Sequence, residues 1–521
     1  MDIFRFRKQL STAVLVLAVL AGPLTSISLA GKLTLKAALE SISISELKNH
    51  VNFLASDALE GREGGTTGAW AASKYIIGEL EKSEGLRKGD GGSGDDTADW
   101  LQYFRGNFRN ILVTIPGSDP ELKDEFILIG AHYDHVGYGS RSNSRGPIGF
   151  VHNGADDNAS GTAALLEVLE ALATIEPAPR RSILAAFWDG EEKGLLGSEF
   201  FIQNPTVPLE KIRLTLNSDM VGRLGENGLG LHGSRTAFGL RQFLARQNTV
   251  SLTLDFSWDY KRDSDHWPFF EQNIPAIMLH TGKHDDYHRP SDDVDKVNFE
   301  GAQLISQYLL QLTLAACNSD ELPQFRPESR PEVPSLRSLE QRFAMTIKRP
   351  SRFGVSYNSE VAEKENRILL TRVEVDSPAR EIRLEPDDEI LELGGYAVTA
   401  VPDFQVLVLT TPSPTTVRYK RKGEEKTVSV TLRGDPVQYG FEWRLDEAEP
   451  NAVIVTAVMP GSPADLAGLK RDHRILKIRD DAPGDRDAFR KTLSEAKGEL
   501  RFEVELAGRF SVLKVQKFPP D

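Results

Sequence analysis

Cysteine and positive charge are scarce in this chain. Cys317 is the single cysteine among 521 residues, so no disulfide can form within the chain. The 62 lysines and arginines are outnumbered by 76 acidic residues, which gives a net charge of −14. Such a balance argues against nucleic acid or an anionic membrane surface as the main partner. The core must therefore be stable without disulfides.

One apolar run, residues 10–24, follows three basic side chains between positions 5 and 8 and precedes Ser28-Leu29-Ala30. This order is typical of a secretory signal peptide, here residues 1–30 with cleavage after Ala30. An uncleaved membrane anchor is the alternative, and the small residues at the cleavage site favour the signal peptide. No cysteine lies near residue 30, which excludes a lipid-modified terminus. We predict a secreted or periplasmic protein with no stable membrane partner, since a disulfide-free chain of this size suits a bacterial periplasm or exterior.

Residues 31–82 have the apolar spacing of helices, and short apolar strands alternate with helical segments from about residue 110 to 312. This alternation predicts an α/β domain over residues 31–318, a three-layer sandwich with a mixed, largely parallel sheet. The predicted strands are 110–115, 126–131, 182–188, 213–217 and 276–280.

The remaining sequence contains a repeat. A proline-rich linker is predicted over residues 319–336, followed by β-rich domains over 337–434 and 435–518. Phe353-Gly354-Val355-Ser356-Tyr357 is echoed by Tyr439-Gly440-Phe441-Glu442-Trp443 at an offset of about 85 residues. We interpret the two segments as copies of one small domain.

Acidic and imidazole side chains cluster where the predicted strands end. In an open α/β sheet, ligands bind at the carboxyl ends of the strands. A co-catalytic zinc pair needs about three protein ligands per metal, with one carboxylate bridging. Each residue alone has an ordinary structural explanation as a core histidine, helix cap or turn residue, but five in succession favour a metal site. The candidate ligands are His132, Asp156, Glu192, Asp219 and His288.

Glu191 stands next to Glu192, and adjacent carboxylates repel unless each has its own partner. A metal site resolves this conflict, because one glutamate can bind the metal while the other takes a proton from the reacting water. A solvated pair at the start of a surface helix is the simpler alternative for these two residues taken alone.

The motifs resemble those of clan MH zinc aminopeptidases, the secreted bacterial leucyl-type enzymes and their glutamate-carboxypeptidase-like relatives. The resemblance covers about residues 45–315. The motifs that carry it are His-Tyr-Asp-His-Val-Gly from residue 132, Gly-Ala-Asp-Asp-Asn-Ala-Ser-Gly from 154, Glu-Glu-Lys-Gly-Leu-Leu-Gly-Ser from 191, Asn-Ser-Asp-Met-Val-Gly-Arg from 217 and Asp-Tyr-His-Arg-Pro-Ser-Asp from 286.

The resemblance implies a role for each matching position. His132 and Asp219 would hold one Zn²⁺, Glu192 and His288 the second, and Asp156 would bridge them. Glu191 would be the general base, Asp134 would orient His132, and Tyr287 would stabilise the oxyanion. Other residues, predicted to be structural or without an assigned role, are His135, His152, His280, His284 and the Asp265-His266 pair.

The C-terminal copies resemble PDZ domains, which implies that each presents backbone N–H groups to a peptide C-terminus beside an edge strand. The second copy carries the more specific match, from Gly461 to Leu469. Packing modules without a ligand remain the alternative for both copies.

The sequence therefore predicts a secreted zinc-dependent aminopeptidase acting on peptides with a free N-terminus. A related clan MH carboxypeptidase or deacylase is one alternative, although such enzymes usually carry a dimerisation domain before the last histidine and only 69 residues separate Asp219 from His288. A single-zinc glutaminyl cyclase relative and a non-catalytic PDZ scaffold are the others.

Overall fold

A computed structural model describes residues 34–89, 100–258, 262–332, 347, 350–398 and 401–516, with the backbone alone at 401–403. The predicted signal peptide and the end of the predicted linker lie outside these residues. Within the described part of the chain, none of the helices combines the length and the apolar character needed to cross a membrane.

Three helices open the described chain, as the apolar spacing of residues 31–82 predicts. Thr34 and Ser43 cap the first two by accepting hydrogen bonds from backbone N–H groups in the first turn, the usual role of an N-cap hydroxyl. The helices are α1 (Leu35–Ser41), α2 (Ile44–Leu54) and α3 (Thr67–Leu80).

A nine-stranded mixed sheet forms the centre of the N-terminal domain, our name for the part built on this sheet. Its strand order is β1-β3-β5-β4-β6-β9-β7-β8, with β2 paired to β3. The strands are β1 (Arg87–Lys88), β2 (Leu101–Phe104), β3 (Phe108–Ile115), β4 (Phe126–His132), β5 (Ser182–Trp188), β6 (Ile212–Ser218), β7 (Leu229–His232), β8 (Leu254–Ser257) and β9 (Ala276–His280).

The four central strands β5, β4, β6 and β9 run parallel, and antiparallel pairings flank them. The five predicted strands are β3, β4, β5, β6 and β9, while β1, β2, β7 and β8 were not predicted. The four unpredicted strands are only two to four residues long, too short for an alternation pattern to distinguish them from loop. The parallel centre brings the carboxyl ends of β4, β5, β6 and β9 to one edge of the sheet.

Helices cover both faces of the sheet, as the side chains of β4 show. Ile127, Ile129 and Ala131 pack into a core shared with α4 and α8. Phe126 and Leu128 point to the opposite face and contact a second core containing residues of α5 and α7. Alternate residues of a strand point to opposite faces, so a strand buried on both reads as a continuous apolar run. The helices are α4 (Gly161–Thr174), α5 (Leu196–Gln203), α6 (Leu240–Arg246), α7 (Trp267–Glu271) and α8 (Phe299–Asn318).

Two antiparallel sheets follow, each with its own hydrophobic core. We name the part around the first sheet the first C-terminal domain. Its elements are β10 (Val355–Tyr357), α9 (Ser359–Glu365), β11 (Ile368–Val373), α10 (Pro378–Glu381), β12 (Glu389–Leu393), β13 (Tyr396–Ala397), α11 (Val401–Thr410), β14 (Thr415–Arg421) and β15 (Glu424–Val430).

The second C-terminal domain repeats this order with fewer elements. In both domains a serine caps a short helix that starts with proline, Ser377 before α10 and Ser462 before the corresponding helix. The elements are β16 (Phe441–Arg444), β17 (Val453–Val458), α12 (Pro463–Leu466), β18 (Arg474–Ile478), α13 (Arg486–Glu495), β19 (Glu499–Leu506) and β20 (Arg509–Gln516).

Candidate metal and catalytic site

The candidate site lies where the parallel strands end. His132 is the last residue of β4, Glu191 and Glu192 follow β5 in a short 3-10 helix, and Asp219 follows β6 directly. His288 lies in the loop after β9. Neighbouring parallel strands deliver residues distant in sequence to one edge, which is where open α/β sheets bind their ligands.

Six residues that could bind a metal form two groups, and Asp157 belongs to both groups. In each group the ligand atoms lie within 4.8 Å of one another. The first group is His132, Asp157 and Asp219, and the second is His135, Asp157, Glu192 and His288.

The two oxygens of Asp157 face different groups. Oδ1 lies 3.5 Å from Nε2 of His132, and Oδ2 lies 3.1 Å from Nε2 of His288. His132 Nε2 is also 3.4 Å from Oδ1 of Asp219, and His288 Nε2 is 3.1 Å from Oε2 of Glu192. The carboxylate therefore has the placement of a bridging ligand.

The structure does not bring Asp156 into either group, although the resemblance implies that this residue bridges the metals. Its Oδ1 accepts hydrogen bonds from the Gly222 N–H at 2.6 Å and the Ser160 hydroxyl at 3.1 Å. Its Oδ2 lies 3.1 Å from Nε2 of His284. The turn between β4 and α4 directs the two adjacent carboxylates to opposite sides, and a run of two aspartates in sequence does not reveal which one faces the site.

Glu191 reaches the same pocket as His132, Asp157 and Asp219. Its backbone N–H donates to Oδ1 of Asp134 at 3.0 Å. Burial raises the pKa of the Glu191 carboxyl well above its usual value, and the charge of Glu192 adds to this rise. A carboxyl with a raised pKa is suited to accepting and returning a proton near neutral pH.

Asp134 is fully buried beneath the site. Nδ1 of His132 lies 3.1 Å from the Asp134 main-chain oxygen and 3.8 Å from its carboxylate Oδ1. The Nδ1–H therefore donates to the main-chain carbonyl, which leaves Nε2 free to bind a metal. The Asp134 carboxylate instead holds the backbone of Glu191.

His288 is oriented in the same way by a different segment. Its Nδ1 lies 2.6 Å from the Asn143 main-chain oxygen, so Nε2 is directed at Asp157 and Glu192. Burial alone would lower the pKa of the His288 imidazole, but its hydrogen bonds with Asp157 and Glu192 outweigh burial and raise the pKa to about 10.

The other charged groups are paired in a similar manner. Burial would raise the pKa of Asp219, but the attraction of His132 outweighs it and lowers the pKa to about 2. Burial would also raise the pKa of Glu192, and its hydrogen bonds with His135 and His288 instead hold that pKa well below the usual value. Carboxylates held ionised beside imidazoles are the form in which these side chains bind a metal.

His135 is part of the second group, although no sequence pattern distinguished it from the other unassigned histidines. Its Nδ1 lies 2.8 Å from Oε1 of Glu192, and its ring lies edge-on to His288 with centroids 5.6 Å apart. The signal for this residue was its place three positions after His132, at a strand end that already carried a ligand.

Tyr287 lines the pocket beside His288, and their rings stack with centroids 3.9 Å apart. The Lys283 ammonium lies 3.5 Å from the Tyr287 hydroxyl. Burial raises the pKa of this phenol, followed by repulsion from the nearby carboxylates. The hydroxyl therefore stays protonated and able to donate a hydrogen bond.

The remaining histidines of the motifs occupy surrounding positions. His152 contacts the Ser144 hydroxyl through Nε2 at 2.7 Å. His280 accepts the Gly282 N–H on Nδ1 at 2.7 Å and lines the pocket. Asp265 accepts a hydrogen bond from Ser198, and His266 is buried with a pKa that burial lowers to about 3.

Beside the two groups, the wall of the pocket combines apolar and polar side chains. Met220 and Met278 supply apolar surface, His280 and Lys283 supply nitrogen atoms, and Asp263 lies at the exposed side. Asp263 precedes α7, whereas the other four side chains lie in β9 or shortly after β6 and β9. The same sheet edge that carries the candidate ligands therefore also shapes most of the adjoining pocket.

Comparison with known proteins identifies a related sequence family. Residues 110–313 match the profile of Peptidase family M28. Leucine aminopeptidase 1 of Trichophyton rubrum is 29% identical over 235 residues, covering 40% of this chain and 60% of that protein. The chain thus spans 60% of the length of this curated relative.

Solved structures with a similar chain path include LapA aminopeptidase of Legionella pneumophila, with a TM-score of 0.45 and 18% identity over 55% of this chain and 75% of that chain. Glutaminyl cyclase of Porphyromonas gingivalis gives a TM-score of 0.42 and 19% identity over 52% of this chain and 97% of that chain. Residues 110–313, the segment similar to Peptidase family M28, contain all the residues of the two candidate ligand groups.

Proposed function

We propose that this protein is a zinc-dependent aminopeptidase that removes N-terminal residues from peptides. The observation that carries the proposal is the carboxylate of Asp157, whose two oxygens face two separate ligand groups beside Glu191. A shared carboxylate between two histidine-containing groups is the arrangement a co-catalytic metal pair requires.

The donor atoms fit zinc. Imidazole nitrogens and carboxylate oxygens are typical Zn²⁺ ligands, and His132 and His288 each have Nδ1 engaged with a main-chain carbonyl so that Nε2 is available. His132, Asp157 and Asp219 would hold one ion, and Asp157, Glu192 and His288 the other, with His135 hydrogen-bonded to Glu192. When bound, the zinc pair would polarise the scissile carbonyl and acidify a water molecule.

The chain's own residues then move the proton. Glu191 accepts a proton from the attacking water at its carboxylate and returns that proton to the leaving amine. Asp134 fixes the backbone of Glu191 through the hydrogen bond to its N–H. The Tyr287 hydroxyl donates a hydrogen bond towards the carbonyl oxygen as negative charge develops.

The charge of the pocket suits a free N-terminus. Asp157, Glu191 and Asp219 line it, and a concave site lined with carboxylates attracts a cationic amine. An acetylated N-terminus lacks this charge and is expected to bind poorly.

The test uses a panel of aminoacyl fluorogenic substrates, each free and N-acetylated, with and without chelator. Cleavage of the free-amine substrates alone, abolished by chelator and restored by Zn²⁺, supports the proposal. Cleavage of C-terminally unblocked, N-acylated substrates would instead indicate a carboxypeptidase or deacylase. Cyclisation of N-terminal glutamine with one zinc per chain would indicate a glutaminyl cyclase, and no turnover with any substrate would indicate a non-catalytic scaffold.

We also propose that the protein is exported and that residues 1–30 are removed as a signal peptide. The basic, apolar and small-residue segments support this proposal. Expression with its native N-terminus in a bacterial host, followed by N-terminal sequencing of the periplasmic and medium fractions, tests it; an intact Met1 on membrane-bound protein would contradict it.

We propose further that the C-terminal domains are PDZ-like modules that bind peptide C-termini. Gly354 and Gly440 both adopt positive φ, +78° and +82°, immediately before β10 and β16. A Cβ at either glycine would lie 2.2–2.3 Å from the Cβ of the capping serine of the following short helix. The two turns therefore share one construction, and an edge strand follows each.

Calorimetric titration of an inactive Glu191→Gln chain with peptides bearing free or amidated C-termini tests this second proposal. Binding of the free carboxylate form alone supports peptide capture by strand addition. Equal or absent binding of both forms would favour packing modules.

A further inference from the structure

The second C-terminal domain contacts the N-terminal domain at strand β8, at helix α6 and at Arg235, on the side of the sheet that leads through β7 to β9. We propose that this domain is a fixed structural part of the catalytic unit, and that its docking positions β9, the strand of Met278 and His280. The effect on catalysis rests on the proposed aminopeptidase function, whereas the docking itself does not.

The first docking contact lies at the edge of the nine-stranded sheet. Among the described strands, β8 pairs with β7 alone, which makes it an edge strand of the described sheet. The Leu254 N–H of β8 donates to the Ala507 carbonyl, 3.0 Å away in the β19–β20 turn. The second C-terminal domain thus continues the hydrogen bonding of the sheet beyond its last strand.

Gly508 permits this close approach. Its φ is +80°, and a Cβ built on it would lie 2.5 Å from Cδ1 of Leu254. The Gly508 carbonyl accepts a hydrogen bond from Nδ2 of Asn248 at 3.0 Å. Any larger residue here would separate the turn from β8 or force Leu254 to move.

Buried ion pairs join the same two domains. Nη2 of Arg241 donates to both carboxylate oxygens of Glu505, at 3.1 and 3.0 Å. Arg241 and Glu505 come from different domains and both are buried. A buried charge must be paired to be tolerated, so this contact specifies one docked arrangement.

A second ion pair between the two domains, Arg235 with Asp446, lies next in the chain to a residue that contacts β9. Arg235 donates to Asp446 of the second C-terminal domain at 2.7 and 3.0 Å and to Glu332 at 2.8 and 2.9 Å. The next residue, Thr236, contacts the backbone N–H of Ala276, the first residue of β9, through Oγ1 at 3.3 Å.

Backbone pairing within the sheet links β8, through β7, to the pocket residues of β9. Leu231 of β7 pairs with Phe256 of β8 on one side and with Leu279 of β9 on the other. Leu279 lies between the pocket residues Met278 and His280. Strands β7 and β8 are only four residues long, and short edge elements open most readily when they lose their neighbours.

The experiment compares two full-length variants with a matched control. Asp446→Asn weakens the pair with Arg235 while leaving that arginine bound to Glu332. Gly508→Val places side-chain atoms against Leu254, so that the turn moves away from β8 or Leu254 is displaced. Asp388→Asn is the control, because Asp388 forms a similar two-bond pair with Arg421 inside the first C-terminal domain, at 2.7 and 2.6 Å.

Hydrogen exchange and steady-state kinetics are the measurements, with zinc content determined for each chain. Amide exchange in β7, β8 and β9 should accelerate about tenfold or more in the docking variants, as expected for losing one charged hydrogen bond. KM for an aminoacyl substrate should rise several-fold with kcat changed much less and zinc retained, and the control should match the unmodified chain in both readouts.

Two results would overturn the proposal. Unchanged exchange in β8 in both docking variants would show that the docking does not hold the edge strand. Faster exchange in β8 with native exchange in β9 and native KM would show that docking does not reach the pocket. If the unmodified chain cleaves no peptide, the aminopeptidase proposal fails, and the exchange of β9 still decides whether docking positions that strand.

Discussion

Asp156 and Asp157 are adjacent in the chain, yet their carboxylates point to opposite sides of one turn. Asp157 faces both candidate ligand groups, while Asp156 accepts the Gly222 N–H at 2.6 Å and contacts His284. The same side-chain chemistry thus contributes to a candidate metal site at one position and to the packing of a loop at the next.

This relationship gives a paired prediction. Asp157→Asn should lose zinc and nearly all peptidase activity, because a neutral amide at the shared position cannot bridge two cations. Asp156→Asn should retain zinc and lose about 1–2 kcal/mol of stability, since a charged hydrogen-bond acceptor is replaced by a neutral one. Elemental analysis and urea unfolding of both variants test this; loss of zinc from Asp156→Asn alone would reverse the assignment.

Replacing the candidate base should separate metal binding from turnover. We expect Glu191→Gln to keep its zinc and to lose about 10²–10⁴-fold or more in kcat, because the amide cannot accept the proton. Zinc content and kcat of the variant, measured on one preparation beside the unmodified chain, check this. A Glu191→Gln chain with near-native kcat would exclude Glu191 as the base.

His135 should tune metal affinity through Glu192. Its Nδ1–H donates to Oε1 of Glu192, which leaves Oε2 for the metal. We expect His135→Ala to weaken zinc binding about 10–100-fold, as for other groups that orient ligands. Competition with a graded series of chelators measures the change. His152→Ala is the matched control, because His152 lies outside both groups, and equal effects of the two variants would contradict the prediction.

The stability of the chelator-treated protein should depend on pH through His288. The pKa of this residue is raised from 6.5 to about 10 by Asp157 and Glu192, against the effect of burial. A raised folded-state pKa contributes stability that is fully present below pH 6.5 and is lost as pH rises through about 10. Urea unfolding between pH 6 and 10 should show this loss, and His288→Gln should reduce it.

The same shift has the opposite consequence for zinc. A bound imidazole must be neutral, so binding displaces the His288 proton and affinity should increase with pH over the same interval. If unfolding of the unmodified chain and of His288→Gln depends on pH in the same way, the raised pKa of His288 does not contribute to the stability of the chelator-treated protein.

Much of the fold was predictable because its signals are local. The central strands are continuous apolar runs that correspond to β4, β5, β6 and β9, and the apolar spacing of α3 and α4 marks helices. The repeated glycine turns, at Gly354 and Gly440, indicated two similar C-terminal domains. Strands β1, β2, β7 and β8 were not predictable from such patterns, since they are short and their pairing partners are chosen by tertiary packing.

The chemical groups of the candidate site and their order follow from the sequence: a histidine at the end of β4, a glutamate pair after β5, an aspartate after β6 and a histidine after β9. Strand ends follow from local apolar patterns, and parallel strands bring those ends together. Tertiary packing places Asp157 rather than Asp156 against both groups, His135 against Glu192, and the second C-terminal domain against β8. The direction of a side chain in a turn depends on contacts with residues distant in the chain, and so does the surface on which a domain docks. A local sequence pattern does not contain this information.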